Sequence, residues 1–194
     1  MVGKGKIIAV SAPSGAGKST ILKSVLNAIP EIVFSISATT RPKRETETDG
    51  KEYFFITEEN FKEKIRNNEF IEWEKFYDYY YGTLKRFIDD NIESGRTVLL
   101  EIDVLGALEV KKLYPEAALI YILPPSIEEL EARLLNRKTE NKIDLQKRLE
   151  RAKFELGFKD KFDYLVENIE LEKAENDTIS LVNKIIYKET VNGN

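Results

Sequence analysis

The segment Ala12-Pro13-Ser14-Gly15-Ala16-Gly17-Lys18-Ser19-Thr20 follows directly on the apolar run Ile7-Ile8-Ala9-Val10, and together they leave the chain few folds to choose from. A buried strand that feeds a glycine turn ending in Gly-Lys-Ser-Thr is a phosphate-binding loop, set between a strand and a helix of an α/β sheet. Gly15 and Gly17 permit the bends that aim successive N–H groups inward as an anion nest. A helix starting near Lys18 adds the positive end of its dipole. Lys18 supplies an ammonium for β- and γ-phosphates, and the Ser19 hydroxyl suits a magnesium ion that bridges them. Ala12 stands where a first glycine is usual, so its φ is expected to be one that alanine accepts. A chance glycine turn before an ordinary helix is the plainer reading. The strand before it, the helix after it and the intact Gly17-Lys18-Ser19 favour nucleotide binding.

The rest of the chain extends this beginning into alternating helices and strands. Helical spacing of Ile21, Leu22, Val25, Leu26 and Ile29 predicts a helix over 19–29, stopped by Pro30. A short strand is expected over 32–37, then a polar arm through Asp49-Gly50, a turn signal, and a strand over 53–56. Thr57 is placed to cap a helix through Ile65, and 70–73 and 79–83 read as two further strands. Residues 35–83 thus form a small, mostly β insertion. Helices over 84–92 and 104–113 flank a buried strand at 97–103, and a second buried strand, 118–123, closes on Pro124-Pro125. Ser126-Ile127-Glu128-Glu129 is a capping box for a helix to about Asn136. A helix over 143–156, a strand over 162–166 and an amphipathic helix over 172–187 complete the pattern, with 190–194 as a loose tail. Strands alternating with helices imply a parallel sheet wrapped by helices.

Composition excludes several chemistries. The 194 residues include no cysteine and no histidine, so thiolate metal sites, cysteine nucleophiles, histidine-ligated zinc and histidine triads are ruled out. Phosphoryl transfer to a phosphate acceptor survives this. A nucleoside monophosphate, with its second pKa of about 6, is already ionised and needs positioning more than deprotonation. The net charge of −4 provides no field to recruit nucleic acid. There is no signal-like apolar segment and no membrane-length run, so the expectation is a cytoplasmic protein without membrane contact. No feature of the sequence speaks to oligomeric state.

Several clusters could carry such chemistry. Arg41 and Arg44 flank Pro42, with Ser37 upstream and Tyr53 downstream; two guanidinium forks near hydroxyls suit a second phosphate. Glu72, among Phe70, Ile71 and Trp73, either faces water by strand alternation or reads a base. Guanine offers N1–H and N2–H side by side to a carboxylate, whereas adenine would leave the acid unpaired. Hydroxyls of Ser37 or Thr83 could meet the base O6. Tyr77, Tyr79, Tyr80 and Tyr81 are strand aromatics, and spacing does not single out one that faces a phosphate. Glu101 and Asp103 end a buried strand, where ligands of open α/β sheets sit; Asp103 is equally suited to capping the next helix. Arg133 and Arg137 lie one helical turn apart and Arg148 follows in the next helix. They make either a solvated charged face or an arginine-bearing lid over a migrating phosphoryl group.

Taken together these stretches resemble guanylate kinase. The resemblance runs from about Lys6 to Lys184 and is carried by Ser11–Thr20, Ser35–Arg44, Asp49–Phe55, Asn68–Trp73, Tyr80–Thr83, Glu101–Gly106 and Pro124–Ser126. It implies an α/β fold: a P-loop three-layer core with a parallel sheet, a small β-rich GMP-binding insertion and a helical lid. The core would be 1–34, 96–125 and 161–194, the GMP-binding part 35–95 and the lid 126–160. It implies phosphorylation of GMP by ATP with Mg2+. ATP would lie on Ala12, Pro13, Ser14, Gly15, Ala16, Gly17, Lys18, Ser19 and Thr20, with Arg133 and, near the adenine, Asn168. GMP would be held by Ser37, Arg41, Arg44, Tyr53, Glu72, Tyr81 and Thr83, with Asp103 beside them. Lys18, Arg44, Arg137 and Arg148 would stabilise the transferring group. The chain departs from the family at Arg137-Lys138-Thr139, where Arg-Gly-Thr is frequent, and at Ile169-Glu170, where an acidic pair is usual. Two rivals remain at this point: an interaction platform of the same fold, disfavoured by the intact loop, and a kinase of another phosphorylated acceptor such as a ribose bisphosphate, disfavoured by Glu72.

Overall fold

The computed structural model describes residues 4–76, 78–135 and 142–187. Its centre is a parallel sheet of five strands in the order β2-β7-β1-β8-β9: β1 Ile7–Ser11, β2 Val33–Phe34, β7 Val98–Glu101, β8 Ala118–Leu123 and β9 Tyr164–Glu167. Strand alternation gives this sheet two apolar faces. Ile8 and Val10 of β1 point to one face, where they meet Ile21, Leu22 and Val25 of α1 (Lys18–Ala28) and Ala174 and Val182 of α7 (Leu171–Tyr187). Ile7 and Ala9 point to the other, against Ile88 and Ile92 of α3 (Lys85–Glu93) and Val104, Ala107 and Val110 of α4 (Val104–Leu113). β1 is buried along its whole length, which is why it reads as an unbroken apolar run rather than an alternating one.

A second sheet has the order β4-β3-β6-β5, built from β3 Ala38–Thr39, β4 Phe54–Phe55, β5 Phe70–Phe76 and β6 Tyr79–Leu84. α2 (Glu58–Arg66) covers it, capped by Thr57, whose Oγ1 accepts from the Asn60 N–H. Its small core stacks Phe61 on Phe70 with ring centroids 4.3 Å apart, beside Ala38.

Three strand expectations are corrected. The strand expected over 32–37 shortens to Val33–Phe34, and the next strand begins only after it, at Ala38, in the other sheet. Ser35 N still donates to Leu99 O of the large sheet at 2.9 Å, whereas Ser37 O already accepts from Phe54 N of the small one at 2.9 Å. The chain therefore changes sheets across Ile36. The strand over 53–56 shrinks to Phe54–Phe55, and the one over 162–166 starts later, at Tyr164, after a 3-10 turn at Lys159–Lys161. The two remaining helices are α5 (Ile127–Leu135) and α6 (Lys142–Leu156). Ser126 does cap α5, accepting from Glu129 N at 3.1 Å. Tyr77, Asn136 and the tail 190–194 lie outside the described residues.

Candidate active site

The phosphate loop leaves β1 at Ser11, with Ala12 and Pro13 buried and Ser14 and Gly15 half-buried. Ala16 N donates to Pro13 O at 3.1 Å, closing the turn. Gly15 and Gly17 have φ of 91° and 92°, a region favouring glycine, while Asn68 is the only non-glycine with positive φ among the described residues. Ala12 thus has the ordinary backbone expected of it. Gly17 is the N-cap of α1 and offers no side-chain cap, and no acid lies in the first turn. The helix start keeps its positive end directed to the loop. Ser19 and Thr20 are exposed on that first turn.

Lys18 Nζ donates to Ile102 O at 3.2 Å and lies 3.8 Å from Glu101 Oε1; Ser19 Oγ donates to that same oxygen at 2.6 Å. Both acceptors come from the carboxyl end of β7, which pairs with β1 through Val10 and Glu101. Burial lowers the Lys18 pKa, opposed by the charges of Glu101, Glu155 and Asp103. A serine hydroxyl and a carboxylate form a hard-oxygen pair, and no cluster of three or more metal-binding side chains exists among the described residues. That donor set fits magnesium, which retains water and phosphate oxygens, rather than an ion needing a full protein cage.

Asn168 lies beneath the loop. Its Nδ2 donates to Ala16 O at 2.7 Å and its side chain is buried. A Cβ on Gly17 would lie 2.4 Å from that nitrogen, so glycine is required there on both counts. Asn168→Ala is expected to cost about 1–2 kcal/mol in urea unfolding, because the Ala16 carbonyl loses its buried donor.

The polar arm is ordered around a partner the sequence reading missed. Arg41 makes a two-pronged pair with Glu47 (Nη1–Oε2 3.1 Å, Nη2–Oε1 2.7 Å) and donates to Pro42 O at 2.8 Å. Glu47 Oε2 also accepts from Arg44 N at 2.8 Å, while the Arg44 side chain is exposed. The Arg41 guanidinium lies 5.5 Å from the ring centroid of Tyr53, and Tyr53 stands edge-on to Tyr81 at 6.1 Å. Burial raises the Tyr53 pKa, so its hydroxyl is a donor at neutral pH. Ser37 is half-buried beside β3.

Glu72, on β5, accepts from Thr83 Oγ1 of β6 at 2.7 Å. Thr83 therefore orients the acid itself. Burial pushes the Glu72 pKa up to about 7, helped by the Asp103 and Glu74 carboxylates and opposed by the Thr83 bond. A Cβ on Gly106 would come within 3.0 Å of Glu72 Cγ, so α4 packs closely on this acid. Asp103 caps α4, accepting from Gly106 N at 2.7 Å, which brings the Glu72 pocket beside the Glu101–Asp103 strand end that also meets Lys18. Arg133 pairs with Glu129 on its own helix at 3.1 Å, and Arg148 is half-buried on α6. Arg137 lies outside the described residues.

A strand–loop–helix phosphate seat at the carboxyl end of a parallel sheet, joined to a second sheet that offers an oriented, half-buried acid, defines a P-loop nucleotide-binding protein. The family model described as Guanylate kinase matches residues 4–186. A guanylate kinase of Thermotoga maritima is 48% identical over 189 residues, spanning 97% of this chain and 91% of its own. One of Bacteroides thetaiotaomicron is 46% identical over 187 residues, spanning 95% and 92%. The crystal structure of guanylate kinase from Anaplasma phagocytophilum matches with a TM-score of 0.75 at 29% identity, covering 98% of this chain and 90% of that one. The chain belongs to the guanylate kinase family.

Proposed function

We propose that this protein transfers the γ-phosphoryl group of ATP to GMP, giving ADP and GDP. The observation that carries the reading is Glu72, a half-buried carboxylate aimed by Thr83 and packed on the helix that starts beside the phosphate loop. Ionised, it accepts N1–H and N2–H of guanine; adenine presents an acceptor at that edge and is rejected.

The roles then follow from chemistry. Residues 12–20 cradle the ATP phosphates through backbone N–H groups and Lys18, with Asn168 bracing the loop and Arg133 assisting on ATP. Magnesium bound with ATP would supply charge neutralisation on the β- and γ-phosphates; Ser19 would hold it, with Glu101, the carboxylate its hydroxyl bonds, beside it. Ser37, Arg41, Arg44, Tyr53 and Tyr81 hold the GMP phosphate, Glu47 keeping the Arg41 fork in place, while Glu72, Thr83 and Asp103 hold the nucleoside. An oxygen of the GMP phosphate bonds to the γ-phosphorus as its bond to ADP breaks, and the electron pair leaves on the β-phosphate. No proton must first be removed, which suits a chain without histidine. Lys18, Arg44, Arg137 and Arg148 spread the charge of the migrating group.

We assign 1–34, 96–125 and 161–194 to a core, 35–95 to the GMP-binding part and 126–160 to a lid whose closure excludes water. No helix among the described residues is long and apolar enough to cross a membrane; a cytoplasmic location is part of this proposal. The test is ADP release from Mg-ATP with GMP, AMP, UMP and dTMP in parallel. Turnover with GMP alone is expected, and silence with all four would overturn the reading.

A further inference from the structure

Arg151 stands on α6 where three segments of the chain meet. Its Nη2 lies 2.8 Å from Asp103 Oδ2, in the turn between β7 and α4, and 3.7 Å from Glu74 Oε2 on β5. Its Nε donates to Glu155 Oε1, one turn along α6, at 2.9 Å. Each acid has a reason to need this cation. Glu155 is 6% exposed and its other oxygen has no partner among the described residues, so the bond that Arg151 gives its Oε1 matters to it. Asp103 spends Oδ1 on the α4 cap, leaving Oδ2 to the guanidinium. Glu74 lies two residues from Glu72 on the same face of β5. An isolated exposed pair would contribute little. Here one fork-shaped cation serves three carboxylates, one of them buried, which only arginine geometry allows.

We propose that Arg151 is a positioning residue for the acceptor: through Asp103 and Glu74 it clamps β5 to the start of α4, holding Glu72 where guanine must meet it. This rests on the reading that Glu72 recognises guanine. Arg151 itself touches no substrate. Without it, Glu74 faces Asp103 and Glu155 with only the Lys18 ammonium near the latter two, and repulsion parts β5 from α4 and α6 at the acceptor side. The ATP phosphates sit on residues 12–20, which the clamp does not bond.

The experiment compares Arg151→Ala, Arg151→Lys, Glu74→Gln and the Arg151→Ala/Glu74→Gln double variant in steady-state kinetics. GMP binding is followed in parallel by the fluorescence of Trp73, the only tryptophan, which lies between Glu72 and Glu74. Arg151→Ala is expected to raise the KM for GMP about ten-fold, Glu74→Gln about three-fold, and the double variant no more than Arg151→Ala alone. The KM for ATP should stay within about two-fold throughout, and Arg151→Lys should recover part of the loss. Because Arg151→Ala strands a buried acid, Glu74→Gln, which leaves the Asp103 and Glu155 bonds intact, tests the β5 arm even if that variant fails to fold. An unchanged KM for GMP, equal rises in both KM values, or strict additivity in the double variant would overturn the clamp while leaving guanine recognition in place. A wild-type protein that neither binds nor phosphorylates GMP would instead overturn the reading of Glu72, and the clamp with it.

Discussion

Lys18→Met is expected to lower kcat for ADP release by about two to three orders of magnitude while leaving the melting temperature unchanged or raised. The ammonium is the one cation the loop carries, and methionine keeps the apolar stem while deleting it. Its bond to Ile102 O and its approach to Glu101 hold it between the loop after β1 and the carboxyl end of β7. Stability moves the other way because the ammonium is held out of water. Burial disfavours the charged form, so the folded protein carries a cost at neutral pH that is relieved only as pH rises toward the ordinary lysine value of 10.5. Removing the charge removes that cost. A parallel fall in activity and melting temperature would mean that Lys18 is a structural residue.

The second large effect concerns Glu72→Gln, expected to reduce kcat/KM for GMP by about 10^2- to 10^3-fold with the KM for ATP unmoved. Glutamine has the shape of glutamate and still accepts from Thr83, but it presents one acceptor and an NH2 group where guanine brings two donors. The pH profile gives an independent check. With Glu72 raised to about 7, GMP binding in the wild type weakens as pH falls through that value, because the protonated acid can no longer accept both donors. The glutamine variant should lack this acid limb. Stability has the opposite dependence. A carboxyl raised in the folded state makes the protein lose stability as pH rises from 4.5 to about 7, with no further change above. At pH 8 Glu72→Gln should therefore melt higher than wild type. A variant that retains GMP turnover and the acid limb would remove Glu72 from base recognition.

What was legible in the sequence was whatever is settled within a few residues. The run into Gly15-Ala16-Gly17-Lys18 specifies strand, turn and helix locally, and Thr57 and Ser126 announce helix starts through their own hydroxyls. Sheet membership is different. Residues 32–37 look like one strand because both halves are half-buried or buried and apolar enough, and only tertiary hydrogen bonds reveal that they belong to two sheets. The arginines of the arm were visible, but Glu47 was not, since a spacing of six residues in a loop follows no period. Arg151 was hidden for another reason. In a helix as charged as α6 an arginine reads as one more solvated cation, and the local hint is Glu155 four residues on.

The passage across Ile36 also bears on how the chain folds. Val33 pairs with Val98 in the finished sheet, yet the whole second sheet is threaded between them. Closing so long an excursion costs chain entropy before any contact repays it. The small sheet can repay part of this in advance, because its hairpin of β5 and β6 and its Phe61–Phe70 stack are local in sequence. Once formed, it draws the two flanks together and shortens the loop that β2 and β7 must close. The second sheet is then also the splint that lets the central sheet complete its edge.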